Sequence, residues 1–395
     1  MANVSDTEKI IPDTADGRKV YRNKIDEIDN EIVKLFGERM ETAAGLASFK
    51  KEHSLPVLDI RREREKIQDV VDKTPDELKE YTELLYSFIL ELSRGYQNRL
   101  IGSGSELKDK ISSAIENTPK LFPERAVVAC QGVEGAYSSI AAGKLFKSPN
   151  VMYFSTFDAV FTAIEKGFCR YGVIPLENST AGSVNTVYDL MTKHSFNIVR
   201  SIRLKVDHNL LAKRGTKIED ITEIYSHQQA ITQCAEFLST LKGVKVIPCE
   251  NTAVAAKMVA ESDRTDIATL SSSECQKLYG LDCLKSAVQD NDNNYTRFIC
   301  ISKDLEIYPG ADRTSLMVVL EDKPGSLYKL LSRLYAFGIN LSKLESRPIP
   351  DKDFEFLFYF DLDTSVYSPQ FLQLMSELGD ISSEYSYLGS YREVM

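Results

Sequence analysis

Nowhere does the chain contain the roughly 18 consecutive apolar residues that a membrane-spanning helix requires. Its start, Met1 to Lys19, is acidic and polar where a secretory leader needs basic residues followed by an apolar run. A cytoplasmic protein with no membrane partner is the expectation. Close cysteine pairs are missing as well. Cys130, Cys169, Cys234, Cys249, Cys275, Cys283 and Cys300 are odd in number and scattered, unlike the paired spacings of zinc sites and redox motifs. Reduced, structural thiols are expected. His194, His208 and His227 have no metal-ligand spacing between them, so structural histidines are expected and no metal is implied. His227 could line a cleft but is not taken as a general acid. An excess of positive charge is also absent, since 48 Lys and Arg against 58 Asp and Glu give −10. That balance opposes a nucleic-acid partner and leaves room for a local basic pocket.

What is present is ordinary globular composition, 43% hydrophobic and 27% charged over 395 residues, enough for two or three domains. Residues 18–100 show apolar positions three and four apart and no strand alternation, so an all-helical domain is expected. Gly102, Ser103, Gly104 and Ser105 interrupt it, and a charged connector with a weak helical pattern runs to Pro119 and Pro123, making 101–124 a linker. Over 125–303, short Val- and Ile-rich runs alternate with helical stretches. This predicts an α/β domain with a largely parallel sheet and two lobes around a cleft, a last strand returning to the first lobe. Residues 313–392 read strand, helix, strand, strand, helix, strand, a ferredoxin-like βαββαβ unit.

In the first helix, Ile25, Ile28, Ile32, Leu35, Ala43 and Leu46 form one stripe, and the same spacing puts Arg22, Arg39 and Lys50 on it. Burying an unpaired cation costs several kcal/mol, so each needs a carboxylate, a ligand anion or water. One such cation would be a snorkelling end; three favour an anion site. Arg22 and Lys50 are 28 positions apart, about 42 Å along a straight helix, whereas Arg39 and Lys50 are about 16 Å apart and can converge on one ligand. Arg22 must serve a second site or a partner subunit.

Arg22, Arg39, Lys50, Asp59, Arg62, Glu63, Ser93 and Gln97 together resemble the all-helical chorismate mutase family in their spacing. The resemblance implies that Arg39 and Arg62 grip the two carboxylates of chorismate, joined by Arg22 from the other subunit of an interlocked dimer. Lys50 and Gln97 would donate to the ether oxygen, and Asp59, Glu63 and Ser93 would hold the substrate hydroxyl and side chains. Taken singly, Ser93 and Gln97 read as an exposed i,i+4 pair, and Asp59 with Arg62 as a cap and ion pair.

In the α/β region, Gly132, Gly135, Ala136, Tyr137 and Ser138 follow the first strand. They lack the third glycine of a dinucleotide fingerprint and the Lys-Ser/Thr of a phosphate loop, so no nucleotide cofactor is expected. Polar clusters stand after strands at Pro175 to Asn185, Ser226 to Gln229 and Glu250 to Thr252, where open α/β sheets assemble ligand sites. With Asn294-Tyr295-Thr296-Arg297-Phe298 they resemble prephenate dehydratase. That resemblance puts Thr296 at the reacting centre, with Asn178, Ser226, Gln233 and Glu250 around it and Arg297 as a carboxylate partner. Prephenate and chorismate are thus the implied substrates.

In the last unit, Asp322-Lys323-Pro324-Gly325-Ser326-Leu327 and Glu345-Ser346-Arg347-Pro348 resemble the effector motifs of ACT domains, with Ser326 where Ala is common. L-phenylalanine is the implied feedback effector, bound between paired ACT domains through Gly325, Ser326, Leu327, Glu345, Ser346 and Arg347. The order of the three resemblances is that of the bifunctional chorismate mutase/prephenate dehydratase family, implying a homodimer or larger homo-oligomer. The alternative is a nonenzymatic amino-acid sensor on the same domains. A transcription regulator is opposed by 17 Lys and Arg against 21 Asp and Glu in residues 1–100.

Overall fold

The computed structural model describes residues 15–101, 105–349, 356–382 and 384–394. The acidic start at 1–14 and the break at 102–104 lie outside them. Two compact units divide between Ser105 and Glu106. No helix among the described residues is long and apolar enough to cross a membrane.

The first unit is helical: α1 (Ala15–Glu52), α2 (Ile60–Asp72) and α3 (Lys79–Ile101). Asp59 caps α2, its side chain accepting from the amide of Arg62 at 3.0 Å, which satisfies one of the free donors of the first turn. The apolar stripe on α1 is not core, contrary to its reading from sequence. Ile25, Ile28, Ile32 and Leu35 are 49 to 59% exposed, while Ala43 and Ala47 are buried. Helical periodicity identifies an apolar face without saying which molecule covers it.

The second unit opens with α4 (Ser105–Asn117) and continues β1 (Val127–Gln131), α5 (Tyr137–Leu145), β2 (Asn150–Phe154), α6 (Phe157–Glu165), β3 (Tyr171–Asn178), β4 (Gly182–Ser183), α7 (Asn185–Met191) and β5 (Asn197–Lys205). The other lobe holds β6 (Asn209–Ala212), β7 (Glu223–His227), α8 (Gln228–Gln233), α9 (Ala235–Ser239), β8 (Lys245–Cys249), α10 (Thr252–Glu261), β9 (Ile267–Ser271), α11 (Ser273–Tyr279) and β10 (Asp282–Lys285). Then β11 (Tyr295–Ser302) returns to the first lobe. The last elements are β12 (Arg313–Leu320), α12 (Ser326–Ala336), β13 (Asn340–Pro348), β14 (Phe356–Asp363), α13 (Pro369–Ile381), β15 (Glu384–Tyr391) and β16 (Glu393–Val394).

The first-lobe sheet runs β16-β5-β11-β3-β1-β2 with β4 on β3, and the second β10-β6-β9-β7-β8. Both are mixed where a largely parallel sheet was expected. The returning β11 enters antiparallel between β3 and β5, and β6 is antiparallel to β9 and β10. At the lobe junction Gly135 has φ +89°, and a Cβ there would stand 2.9 Å from Cys275 Sγ. The glycines after β1 therefore serve close passage between lobes rather than a phosphate cradle.

The βαββαβ unit forms as expected, in the order β13-β14-β12-β15. Strand alternation gives β12 two faces. Leu316, Val318 and Leu320 join the core under α12 and α13, whereas Met317 joins the core of the first lobe. Two features were not foreseen. The connector with the weak helical pattern does not stand apart: as helix α4 it buries Ile111 and Ala114 in the core of the βαββαβ unit. Beyond β15, the two residues of β16 add a parallel strand to β5 of the first-lobe sheet. Gly389 lets β15 pass over β5, since a Cβ there would lie 2.3 Å from the carbonyl oxygen of Ile198.

Candidate active sites

A cavity of about 390 Å³ in the helical unit is lined by Arg39, Lys50, Asp59, Arg62, Glu63, Ser93 and Gln97, seven of the eight residues expected there from sequence. Arg22 is exposed and not among them. The Lys50 ammonium is tied to the carbonyl of Val57 at 2.6 Å. Ser93 and Gln97, each 5% exposed, are a buried pair rather than a surface one. Gln97 Nε2 lies 3.3 Å from both the Ser93 carbonyl and its hydroxyl. Arg39 Nη1 is buried with no hydrogen-bond partner among the described residues.

Sequence reasoning missed Lys66 and Arg94, which also line the cavity. Arg94 forms an ion pair with Glu63 across 31 positions of chain. Its placement beside Ser93 on α3 was the only local signal. With five cationic side chains against Asp59 and Glu63, the cavity suits a ligand bearing more than one negative charge.

The second site is a cleft of about 340 Å³ between the two lobes. Asn178, Gln233, Glu250 and Thr296 line it, as does His227. Tyr137, His208, Asn251 and Phe298 do so without having been singled out as site residues. Asn178 and Thr296 are directly opposed across the β3–β11 ladder, and Asn178 Nδ2 is 2.9 Å from Thr296 Oγ1.

The polarity of that bond follows from its surroundings. Asn178 Oδ1 accepts from the amides of Thr180 and Ala181 and from the Thr180 hydroxyl, at 3.1, 2.8 and 2.7 Å. The amide nitrogen of Asn178 is therefore the group facing Thr296, and it donates. Thr296 Oγ1 accepts, so its own proton is left for the cleft. Behind it, Asn294 Nδ2 donates to Gln233 Oε1 at 3.0 Å and Gln233 Nε2 to Thr180 at 2.9 Å. His208 Nε2, also 3.0 Å from Gln233 Oε1, must then be the protonated nitrogen. Burial holds the imidazoles of His208 and His227 below their ordinary value. The cleft is thus built from neutral amides, hydroxyls and imidazoles, with exposed Glu250 at its side.

Two expected cleft residues are elsewhere. Ser226 is fully buried, donating to the Leu270 carbonyl at 2.7 Å, because neighbouring residues of β7 face opposite ways and His227 takes the cleft side. The same alternation on β11 sends Arg297 away from the cleft that Thr296 and Phe298 face. There Arg297, 3% exposed, pairs with Asp361, Glu177 and Glu393. It is no substrate-carboxylate partner in this structure.

The expected effector residues are also divided by alternation. Gly325 caps α12, with Ser326 and Leu327 in its first turn. On β13, Glu345 and Arg347 reach the dehydratase side instead: Glu345 accepts from the Ser183 hydroxyl at 2.6 Å, and Arg347 pairs with Asp189 at 2.6 Å. Ser346 between them is exposed. The six residues do not converge on one cavity within a single chain.

Comparison with known proteins follows the same division. Residues 21–98 match the model for chorismate mutase type II, 128–306 that for prephenate dehydratase, and 314–369 that for the ACT domain. The bifunctional chorismate mutase/prephenate dehydratase of Aquifex aeolicus is 30% identical over 380 residues, spanning 95% of this chain and 98% of that one. Arogenate dehydratase/prephenate dehydratase 2 of Arabidopsis thaliana is 37% identical over 279 residues, 68% of this chain and 73% of the relative. The solved prephenate dehydratase of Arthrobacter aurescens, in complex with L-Phe, superposes with a TM-score of 0.62 at 26% identity, covering 67% of this chain and 89% of that one. With a full-length relative aligned across both sites and the tail, the chain belongs to the bifunctional chorismate mutase/prephenate dehydratase family.

Proposed function

We propose that the chain performs two consecutive steps of L-phenylalanine biosynthesis, rearranging chorismate to prephenate in the helical unit and converting prephenate to phenylpyruvate in the two-lobed cleft. The first step breaks the ether C–O bond as a C–C bond forms, with no proton transferred. A site need only enforce the compact conformer and place donors where charge grows on the ether oxygen. Arg39, with its unpartnered nitrogen, and Arg62 hold the carboxylates. Lys50 and Gln97 serve the ether oxygen, Gln97 giving up one contact to Ser93, and Asp59 and Glu63 hold the hydroxyl.

In the second step the ring carboxylate leaves as CO₂, its electron pair enters the ring, and the ring hydroxyl departs as water with one added proton. The observation that carries this reading is the hydrogen bond from Asn178 Nδ2 to Thr296 Oγ1, which leaves the threonine proton for a cleft whose lining carries one carboxylate, exposed Glu250. Thr296 donates to the leaving hydroxyl, Gln233 and His208 hold the Asn178–Thr180 arrangement in place, and Glu250 lines the substrate path.

A second copy completes the mutase site. The described part of the helical unit buries only Ala43, Ala47 and Val70 among its apolar side chains, too few for an independent core. Covering Ile25, Ile28, Ile32, Leu35 and Leu46 would contribute on the order of 10 kcal/mol and bring Arg22 toward a partner's cavity. L-phenylalanine acts through the ACT domain, and Gly325, Ser326, Leu327 and Ser346 are its candidate contacts between paired copies. The seven cysteines are free thiols, in keeping with the reducing cytoplasm.

The test is to incubate purified protein with chorismate and follow chorismate, prephenate and phenylpyruvate together, with and without L-phenylalanine. Phenylpyruvate that falls on adding phenylalanine is the expected result. Prephenate accumulating unconverted overturns the dehydratase assignment, and unchanged chorismate overturns the enzyme reading in favour of a sensor.

A further inference from the structure

Thr296 and Asn178, whose hydrogen bond aims the proton in the dehydratase cleft, are each next in sequence to a residue held by the ACT sheet. Arg297 and Glu177 are the adjacent opposed pair of the same β3–β11 ladder, pointing to its far face, and a register irregularity follows at once between Arg297 and Phe298. Arg297 Nη1 contacts Asp361 of β14 and, at 3.3 Å, Glu177. Nη2 donates to the Tyr391 hydroxyl of β15 at 2.7 Å, and Nε lies 3.2 Å from Glu393 of β16. Asp361 is fully buried and is fixed in turn by the hydroxyls of Tyr359, at 2.8 Å, and Ser315. From β13, Lys343 reaches Glu177 at 3.1 Å and Glu345 at 3.4 Å, so the effector-motif strand holds the other member of the pair.

We infer that Arg297 is a positioning residue of the dehydratase, the clamp through which the ACT sheet sets the Thr296–Asn178 hydrogen bond and imposes the effector's control. The inference rests on the dehydratase reading above. A buried guanidinium shared by three carboxylates is intolerant of displacement, because fully buried Asp361 has no other ion-pair partner among the described residues and would be left uncompensated. A shift of β13 or β14 relative to the dehydratase sheet must therefore move Glu177 and Arg297 together or break the cluster. Either displaces residues one bond away from the proton donor and its aligner. Asp361, Tyr391 and Lys343 reach the ladder on its far face, opposite the cleft, so the ACT domain can alter chemistry in the cleft without entering it.

The test uses the full chain and three variants, Arg297→Lys, Asp361→Asn and Glu177→Gln, assayed for dehydratase kcat and prephenate KM and for the phenylalanine concentration giving half-inhibition. The expected result is a kcat at least about 10-fold lower in each variant, a KM within 2-fold of the parent, and a half-inhibitory concentration raised at least about 10-fold. A purely structural ion pair would change melting temperature without moving kcat or the half-inhibitory concentration in a folded variant. Parent-like kcat and inhibition in folded variants overturn the inference. So does a raised KM with kcat preserved, which would make Arg297 a substrate-binding group. Should Arg297→Lys fail to fold, Glu177→Gln carries the same test, since it leaves Asp361 and Glu393 on the arginine. A parent chain that does not turn over prephenate refutes the dehydratase reading itself; an active, inhibited parent with indifferent variants refutes only the clamp.

Discussion

The two candidate sites solve opposite problems with opposite materials. The helical cavity gathers five cations around two carboxylates and leaves an arginine nitrogen without a partner among the described residues, while the cleft between the lobes is lined by amides, a threonine and two histidines with exposed Glu250 at its side, Asn178, Thr296, Gln233 and His208 belonging to one hydrogen-bonded network. A pericyclic rearrangement of a dianion needs its charges gripped and its ends brought together, and a surplus of cations does this. Expelling hydroxide and CO₂ needs one proton aimed with care, which a fixed network of neutral groups does better than a field of charges. The organisation differs too. The cleft is lined by residues brought together within one chain, whereas the helical unit exposes its apolar stripe and its Arg22.

The sharpest way to separate the sites is Thr296→Val, expected to lower dehydratase turnover by about 10²- to 10⁴-fold, the usual contribution of a positioned acid, with mutase turnover unchanged. Lys50→Met should do the reverse, costing the mutase about 10²- to 10³-fold as one donor to the developing oxyanion is lost. Parallel assays on both substrates check the pair, and equal loss of both activities from either change would contradict separate sites.

Asn178→Asp probes the polarity argument. The carboxylate accepts where the amide donated, so Thr296 turns its proton toward position 178 and dehydratase kcat should fall roughly 10- to 100-fold, the worth of one or two buried hydrogen bonds. A variant as fast as the parent would mean that the Thr296 proton is not the one used.

The smallest expected difference is in pH dependence. His208 is held below its ordinary value of 6.5 by burial, so the folded state takes up a proton less readily than the unfolded one. Its contribution is intact above pH 6.5 and is lost as pH falls from there toward the depressed value. His194 works the other way. Burial lowers its affinity for a proton, but Glu165 and Asp158 outweigh it, so its contribution is present below 6.5 and fades as pH rises through the raised value. Melting of the dehydratase unit between pH 7 and 5 should therefore fall less steeply in His208→Gln than in the parent, His194 being common to both. Identical slopes would place the sensitivity elsewhere.

Much of both sites was legible in the residues, and the misses share a cause. Of the seven mutase positions that line the cavity, Arg39 and Lys50 were legible from helical spacing, a local property that survives into the tertiary structure, and the other five from the resemblance to chorismate mutases. Polar clusters at strand ends marked the neighbourhood of Thr296 and Asn178, and the resemblance to prephenate dehydratase singled the two out. Ser226, Arg297, Glu345 and Arg347 were grouped with their neighbours by sequence motif, although a period of two sends adjacent residues of a strand to opposite faces. That signal was available for Arg297 once Thr296 was placed in the cleft. No local signal foretold Arg94 on Glu63, helix α4 in the ACT core, or β16 in the dehydratase sheet.

By itself, then, the sequence determined the order of helical, two-lobed and βαββαβ parts, the faces of their helices, and the chemical types assembled at each site, since periodicity and turn chemistry act over a few residues. Only the tertiary structure decided which face of each strand meets the cleft and which carboxylates share Arg297. Asp361 and Glu177 are 64 and 120 positions from that arginine, and over such separations pairing is set by how sheets pack and not by any preference the chain carries locally.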